Sequence, residues 1–113
     1  NLSSEPDGTG AGVLVRALEP VAGHDVILAR RTSSTLKDAC RGPGRLCAAL
    51  AIDRSLDGVD LFERGNLWLA RGEPIKPSRV RASPRIGVTR AASRRLRYFE
   101  AGNPHVSGPR SLR

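Results

Sequence analysis

Between Arg41 and Asp60 the chain reads Arg-Gly-Pro-Gly-Arg-Leu-Cys-Ala-Ala-Leu-Ala-Ile-Asp-Arg-Ser-Leu-Asp-Gly-Val-Asp, and no other stretch limits the fold as tightly. Gly42-Pro43-Gly44 is a loop that lets backbone approach a neighbour closely. The spacing then predicts a short helix from near Arg45, with Leu46 and Leu50 one turn apart and Ala48, Ala49 and Ala51 as good helix formers. The unpaired N–H groups of a first helical turn attract anions, and Arg45 stands beside them. Asp53-Arg54-Ser55 and Asp57-Gly58 read as turns that bring Arg54 toward the same side. Two glycines, a helix start and two arginines suit a grip on phosphate. The same pattern equally fits an ordinary loop–helix–turn whose arginines are solvated.

With 113 residues there is room for at most one domain, and 39% hydrophobic with 4% aromatic residues gives a lean core. No run reaches the roughly 18–20 apolar residues that span a membrane. No signal-peptide pattern opens the chain, so an internal, soluble protein is expected. Charge is unevenly placed. Residues 1–63 hold seven basic and nine acidic side chains, a net of −2, and residues 64–113 hold twelve and two, a net of +10. Only Lys37 and Lys76 among the 19 basic residues are lysines. Arginine suits bidentate phosphate contacts, so a polyanionic partner is expected, although charge does not choose among polyanions.

Val13 to Leu18 is the clearest strand, with Val13, Val15 and Ala17 on one face and Leu14, Arg16 and Leu18 on the other. A guanidinium between leucines needs acceptors, which a core carboxylate or a bound ligand would supply. Residues 1–12 are turn-rich, and His24 to Arg31 is helix-like. Leu36 to Cys40 leads into the glycine loop. Leu61-Phe62 and Leu67-Trp68-Leu69 are short strand candidates around a Gly65-Asn66 turn, with Trp68 expected in the core. Residues 71–84, with Pro74, Pro77 and Pro84, read as an irregular surface segment. Ile86-Gly87-Val88 reads as a strand with a glycine at a close approach. Leu96 to Ala101 is the last strand, and Gly102 to Gly108 is a turn. Cys47 is expected as a buried free thiol. Cys40, Cys47, His24 and His105 have no recognised zinc spacing, so no metal site is expected.

The run Gly-Pro-Gly-Arg-Leu-Cys-Ala-Ala-Leu-Ala-Ile-Asp-Arg-Ser-Leu-Asp-Gly resembles the alkyladenine DNA glycosylase family, the DNA-3-methyladenine glycosylases of the methylpurine type. Three further blocks agree in order. They are Asn1-Leu2-Ser3-Ser4 with Val13 to Pro20, Arg85-Ile86-Gly87-Val88, and Leu96-Arg97-Tyr98-Phe99 with Gly102 to Gly108. The resemblance covers nearly the whole chain but only the C-terminal part of such an enzyme, and with Asn1 in first place the chain is expected to begin partway through a longer protein.

The resemblance implies an α+β fold, a curved antiparallel sheet with short helices around it, of which residues 1–113 are the C-terminal portion of a single domain and incomplete alone. It implies base-excision repair: a nucleotide is everted from the duplex and an alkylated or deaminated purine is removed by water, leaving an abasic site. No cofactor and no metal are implied. Arg16 would hold the water and the everted nucleotide, the Ile86 backbone carbonyl would also hold the water, and Asn1 would line the base pocket. Gly42, Gly44, Arg45, Arg54 and Gly87 would meet DNA phosphate. The general base, a glutamate in a Glu-x-Glu-Ala-Tyr context, and the aromatic wedge are expected upstream. None of Glu5, Glu19, Glu63, Glu73 and Glu100 has that context, so these residues alone are expected to be inactive. The expected partner is double-stranded DNA with damaged purines, with no membrane. The complete protein would be monomeric and either cytoplasmic, with the nucleoid, or nuclear, and not secreted. The rivals are a non-catalytic RNA-binding module such as a ribosome-associated basic protein, and a formyltransferase C-terminal domain that binds transfer RNA.

Overall fold

A computed structural model describes residues 1–32, 35–109 and 111. Its backbone divides into two units, residues 1–51 with Pro104–Ser107, and Ile52–Asn103 with the segment that starts at Gly108. Helices and antiparallel strands both occur, which is the α+β class expected.

The first unit opens with a hairpin. Strand β1 (Leu2–Ser3) pairs antiparallel with β2 (Gly12–Val13), Leu2 opposite Val13 and Ser3 opposite Gly12. The connection turns at Gly8, at φ 90°, and the Thr9 N–H donates to the Pro6 carbonyl at 3.1 Å. The strand expected from Val13 to Leu18 is shorter than its pattern. Pairing stops at Val13 and resumes only at one bridge, Ala17 to Arg41, beside which the Leu18 N–H donates to the Cys40 carbonyl at 3.3 Å. Leu14 and Leu18 remain 46% and 41% exposed, so the alternation has little core to sort.

Three helices follow. Helix α1 (His24–Arg30) starts after Gly23, which is left-handed at φ 66°, with Asp25 in its first turn and Arg30 in its last. Both charges complement the helix dipole. Helix α2 (Leu36–Ala39) is a single turn, and α3 (Pro43–Leu50) begins with proline, whose missing N–H costs nothing in a first turn. Leu46 and Ala49, three residues apart, turn inward and join Ile27, Ala39 and Cys40 as the buried apolar set. Arg30 Nη1 donates to the Ala49 carbonyl at 3.2 Å and so satisfies an end-of-helix acceptor of α3. Cys40, not Cys47, is the buried thiol. Cys47 is half-buried, and both are free. Burial pushes the Cys40 thiol above its ordinary range.

The second unit is held differently. Asp53 caps a 3-10 helix at Arg54–Leu56, accepting from the Ser55 N–H at 2.9 Å and the Ser55 hydroxyl at 2.6 Å. The two strand candidates at 61–62 and 67–69 form turns and bends instead, tied by one bond from the Leu69 N–H to the Leu61 carbonyl at 2.7 Å. Asp60 Oδ1 accepts the Phe62 N–H at 2.8 Å, which turns the chain there and leaves Phe62 90% exposed. Trp68 is not core. It is 44% exposed, with the Arg64 guanidinium 5.6 Å from its ring centre.

A second 3-10 turn, Pro77–Arg79, leads into β3 (Val80–Ser83), which pairs antiparallel with β4 (Arg97–Glu100). Val80 faces Glu100 and Ser83 faces Arg97. Strand β4 lies inside the expected Leu96–Ala101. Strand β3 lies inside the stretch expected to be irregular, because its Val80-Arg81-Ala82-Ser83 alternation is only four residues long and prolines flank it. Ile86-Gly87-Val88 is not a strand: Gly87, at φ 73°, bends the chain out of extended conformation. Among the described residues, no helix is long and apolar enough to cross a membrane.

Candidate functional site

Gly42 sits at φ 148° and precedes α3. The following proline has no N–H, so the unpaired donors of the first helical turn are those of Gly44 and Arg45, while the Leu46 N–H already donates to the Gly42 carbonyl at 2.9 Å. No acidic side chain lies in that turn. The Arg45 side chain is exposed, and its Cδ lies 3.7 Å from where a Cβ on Gly42 would stand. Gly42, Gly44 and Arg45 therefore form one local group with two backbone donors, a positive dipole end and a guanidinium.

Arg41 fixes that group to the rest of the first unit. Its Nη1 pairs with Asp38 Oδ1 on α2, and its Nε donates to the Val106 carbonyl at 3.3 Å. The Thr35 hydroxyl, which donates to Asp38 Oδ2 at 3.1 Å, and then Arg41 hold the Asp38 carboxyl below its usual range, with the Arg45 charge adding at longer reach.

Arg16 is half-buried between β2 and the Ala17 bridge. Its Nε is buried and has no hydrogen-bond partner among the described residues, and neither the Arg41–Asp38 nor the Arg79–Glu100 ion pair includes it. A donor left this way is costly unless something outside the chain completes it. Asn1 lies exposed immediately before β1. Asn1, Arg16, Gly42, Gly44 and Arg45 thus all belong to the first unit.

Arg54, Ile86 and Gly87 belong to the second. Arg54 is exposed at the first position of its 3-10 helix. Ile86 is half-buried, and Gly87 is exposed with open space where a Cβ would stand, so its glycine answers to a φ of 73° and not to packing within the chain. Sequence reasoning passed over the most buried charge in this unit. Arg97, 5% exposed, donates through Nη1 to the Ser83 hydroxyl at 2.9 Å and lies 4.4 Å above the Phe99 ring centre. The available signal was the alternation of Arg97 and Phe99 on one face of β4, hidden by the basic run before it.

His24 is exposed, and its ring Nε2 donates to the Pro20 carbonyl at 3.2 Å, with no nucleophile beside it. Among the described residues no three His, Cys, Asp or Glu side chains cluster as metal ligands would.

Residues 1–104 match the sequence profile of the family described as Methylpurine-DNA glycosylase (MPG). A Mesorhizobium japonicum protein named "Putative 3-methyladenine DNA glycosylase" is 54% identical over 99% of this chain and 53% of its own length. A Paraburkholderia phytofirmans protein of the same name is 44% identical over 99% of the chain and 52% of its own. The Homo sapiens "DNA-3-methyladenine glycosylase" is 43% identical over 95% of the chain and 40% of its own. The chain spans about half the length of the curated relatives it matches.

Proposed function

The chain belongs to the methylpurine-DNA glycosylase family, and from that premise we propose that it forms the DNA-holding part of an enzyme that excises alkylated or deaminated purines. The observation that carries this reading is the buried, unpartnered Nε of Arg16. A phosphodiester oxygen of an everted nucleotide, or the water beside it, supplies the missing acceptor. In this reading Arg16 orients water against the sugar carbon, Asn1 borders the base, and the Ile86 carbonyl accepts from water. The N–H groups of Gly44 and Arg45, with the Arg45 and Arg54 side chains, take up backbone phosphate, and Gly87 leaves room for the DNA backbone to pass close. The general base is supplied by residues outside these 113, so the chain alone binds and does not turn over.

Binding of the purified chain to duplex DNA with an abasic analogue, measured across a salt series, tests this directly. Arg45→Ala and Arg54→Ala should each weaken binding and lower the slope of log K against log salt by about one ion contact. An unchanged slope in both removes them from the phosphate contacts. Structured RNA that displaces the duplex at equal concentration would favour an RNA-binding module instead. Multiple turnover on damaged DNA by the isolated chain would place the general base within it.

A further inference from the structure

Ile86 sits in a bend, where no ladder holds its carbonyl in place, yet the reading above asks that carbonyl to fix a water. What holds the bend lies beside it. A Cβ on Gly108 would stand 2.6 Å from Ile86 Cδ1 and 3.6 Å from Arg97 Nη2. Ile86 is therefore packed against the bare backbone of Gly108, with the Arg97 guanidinium at the same point. Arg97 is itself locked: it is 5% exposed, bonded to Ser83 across the β3–β4 ladder, and stacked on Phe99.

We propose that Arg97 is a positioning residue, which with Ser83 and Gly108 sets the place of the Ile86 backbone for the reaction. It acts through Ile86 and not on the reacting atoms. It transmits the rigidity of the β3–β4 ladder to a bend that has none of its own. The inference rests on the proposed role of Ile86, and it adds three residues that the sequence motifs do not mark for chemistry.

The test is single-turnover excision of a damaged purine by the full-length enzyme that carries this chain, alongside its affinity for an abasic-analogue duplex. Arg97→Lys keeps the charge but loses the planar fork. It should slow excision about ten- to hundredfold, as displacement of a positioned group does, and leave duplex affinity within about twofold. Ser83→Ala removes one hydrogen bond and should slow excision less, again without loss of affinity. Gly108→Ala should slow it as well, and adding Ile86→Val, which deletes the overlapped Cδ1, should recover part of that loss. The backbone strain of alanine at φ 95° remains in the double variant. Unchanged excision by a folded Arg97→Lys, or rate and affinity falling together, would overturn the role of Arg97 and leave the glycosylase reading standing. A wild-type enzyme inert on every damaged purine tried would overturn both.

Discussion

At the scale of single residues, the arginines divide by what their nitrogens meet. Arg30, Arg81, Arg85 and Arg95 each donate to a backbone carbonyl nearby, and Arg41 and Arg97 are held by side chains as well. Arg16 alone among the proposed site residues has a buried nitrogen with no partner among the described residues. Composition makes all of these one basic mass, which is why Arg97 stayed invisible: its acceptor Ser83 is fourteen residues away. Arg16 drew notice in the sequence because Leu14 and Leu18 share its expected face, although the strand stops at Val13. The Asp38–Arg41 pair carries a pH dependence with a definite sign. The folded carboxyl titrates below its ordinary value, so its stabilisation is full above the unfolded value near pH 4 and is lost as pH falls through the lower folded one. Thermal melts from pH 6 to pH 2 should show Asp38→Asn less stable than wild type at pH 6, with the difference shrinking as acid is added.

Among the elements, α3 carries most. Its presence was readable from the Leu46–Leu50 spacing, but it starts at Pro43, inside the expected glycine loop, because proline suits a first helical position, and Leu46 and Ala49 form its inward face. Leu46→Ala should destabilise the first unit by about 2–4 kcal/mol, measurable by urea titration of helical circular dichroism. Helix α1 was read less sharply, as helix-like from His24 to Arg31, and it forms over His24–Arg30 with Asp25 and Arg30 set for its dipole. Strands were read less well because pairing is a property of two segments. Val13 to Leu18 has the pattern without a partner along its length, and Val80–Ser83 has a partner but only four residues of pattern between prolines. The same reason explains Ile86: its place is decided by Gly108, and no spacing rule links the two.

For the molecule as a whole, the two units are stabilised by different means. Every buried apolar side chain among the described residues, Ile27, Ala39, Cys40, Leu46 and Ala49, is in the first unit, whereas the buried side chains of the second are Ser83 and Arg97. A region without apolar burial relies on hydrogen bonds that water can replace, and it opens at lower free energy. Amide hydrogen exchange should accordingly be slowest in α1 and α3 and faster throughout 52–103, β3 and β4 included. Protection in β3–β4 equal to that in α3 would contradict this.

The bond from Arg41 to Val106 joins points 65 residues apart. During synthesis, Arg41 leaves the ribosome long before its acceptor exists, and by then the helices around it are complete. The first unit must therefore wait, with that guanidinium solvated, until almost the last codon of this segment has been read. A premature stop between Leu50 and Val106 would spare α1, α2 and α3 and still deny the first unit this bond.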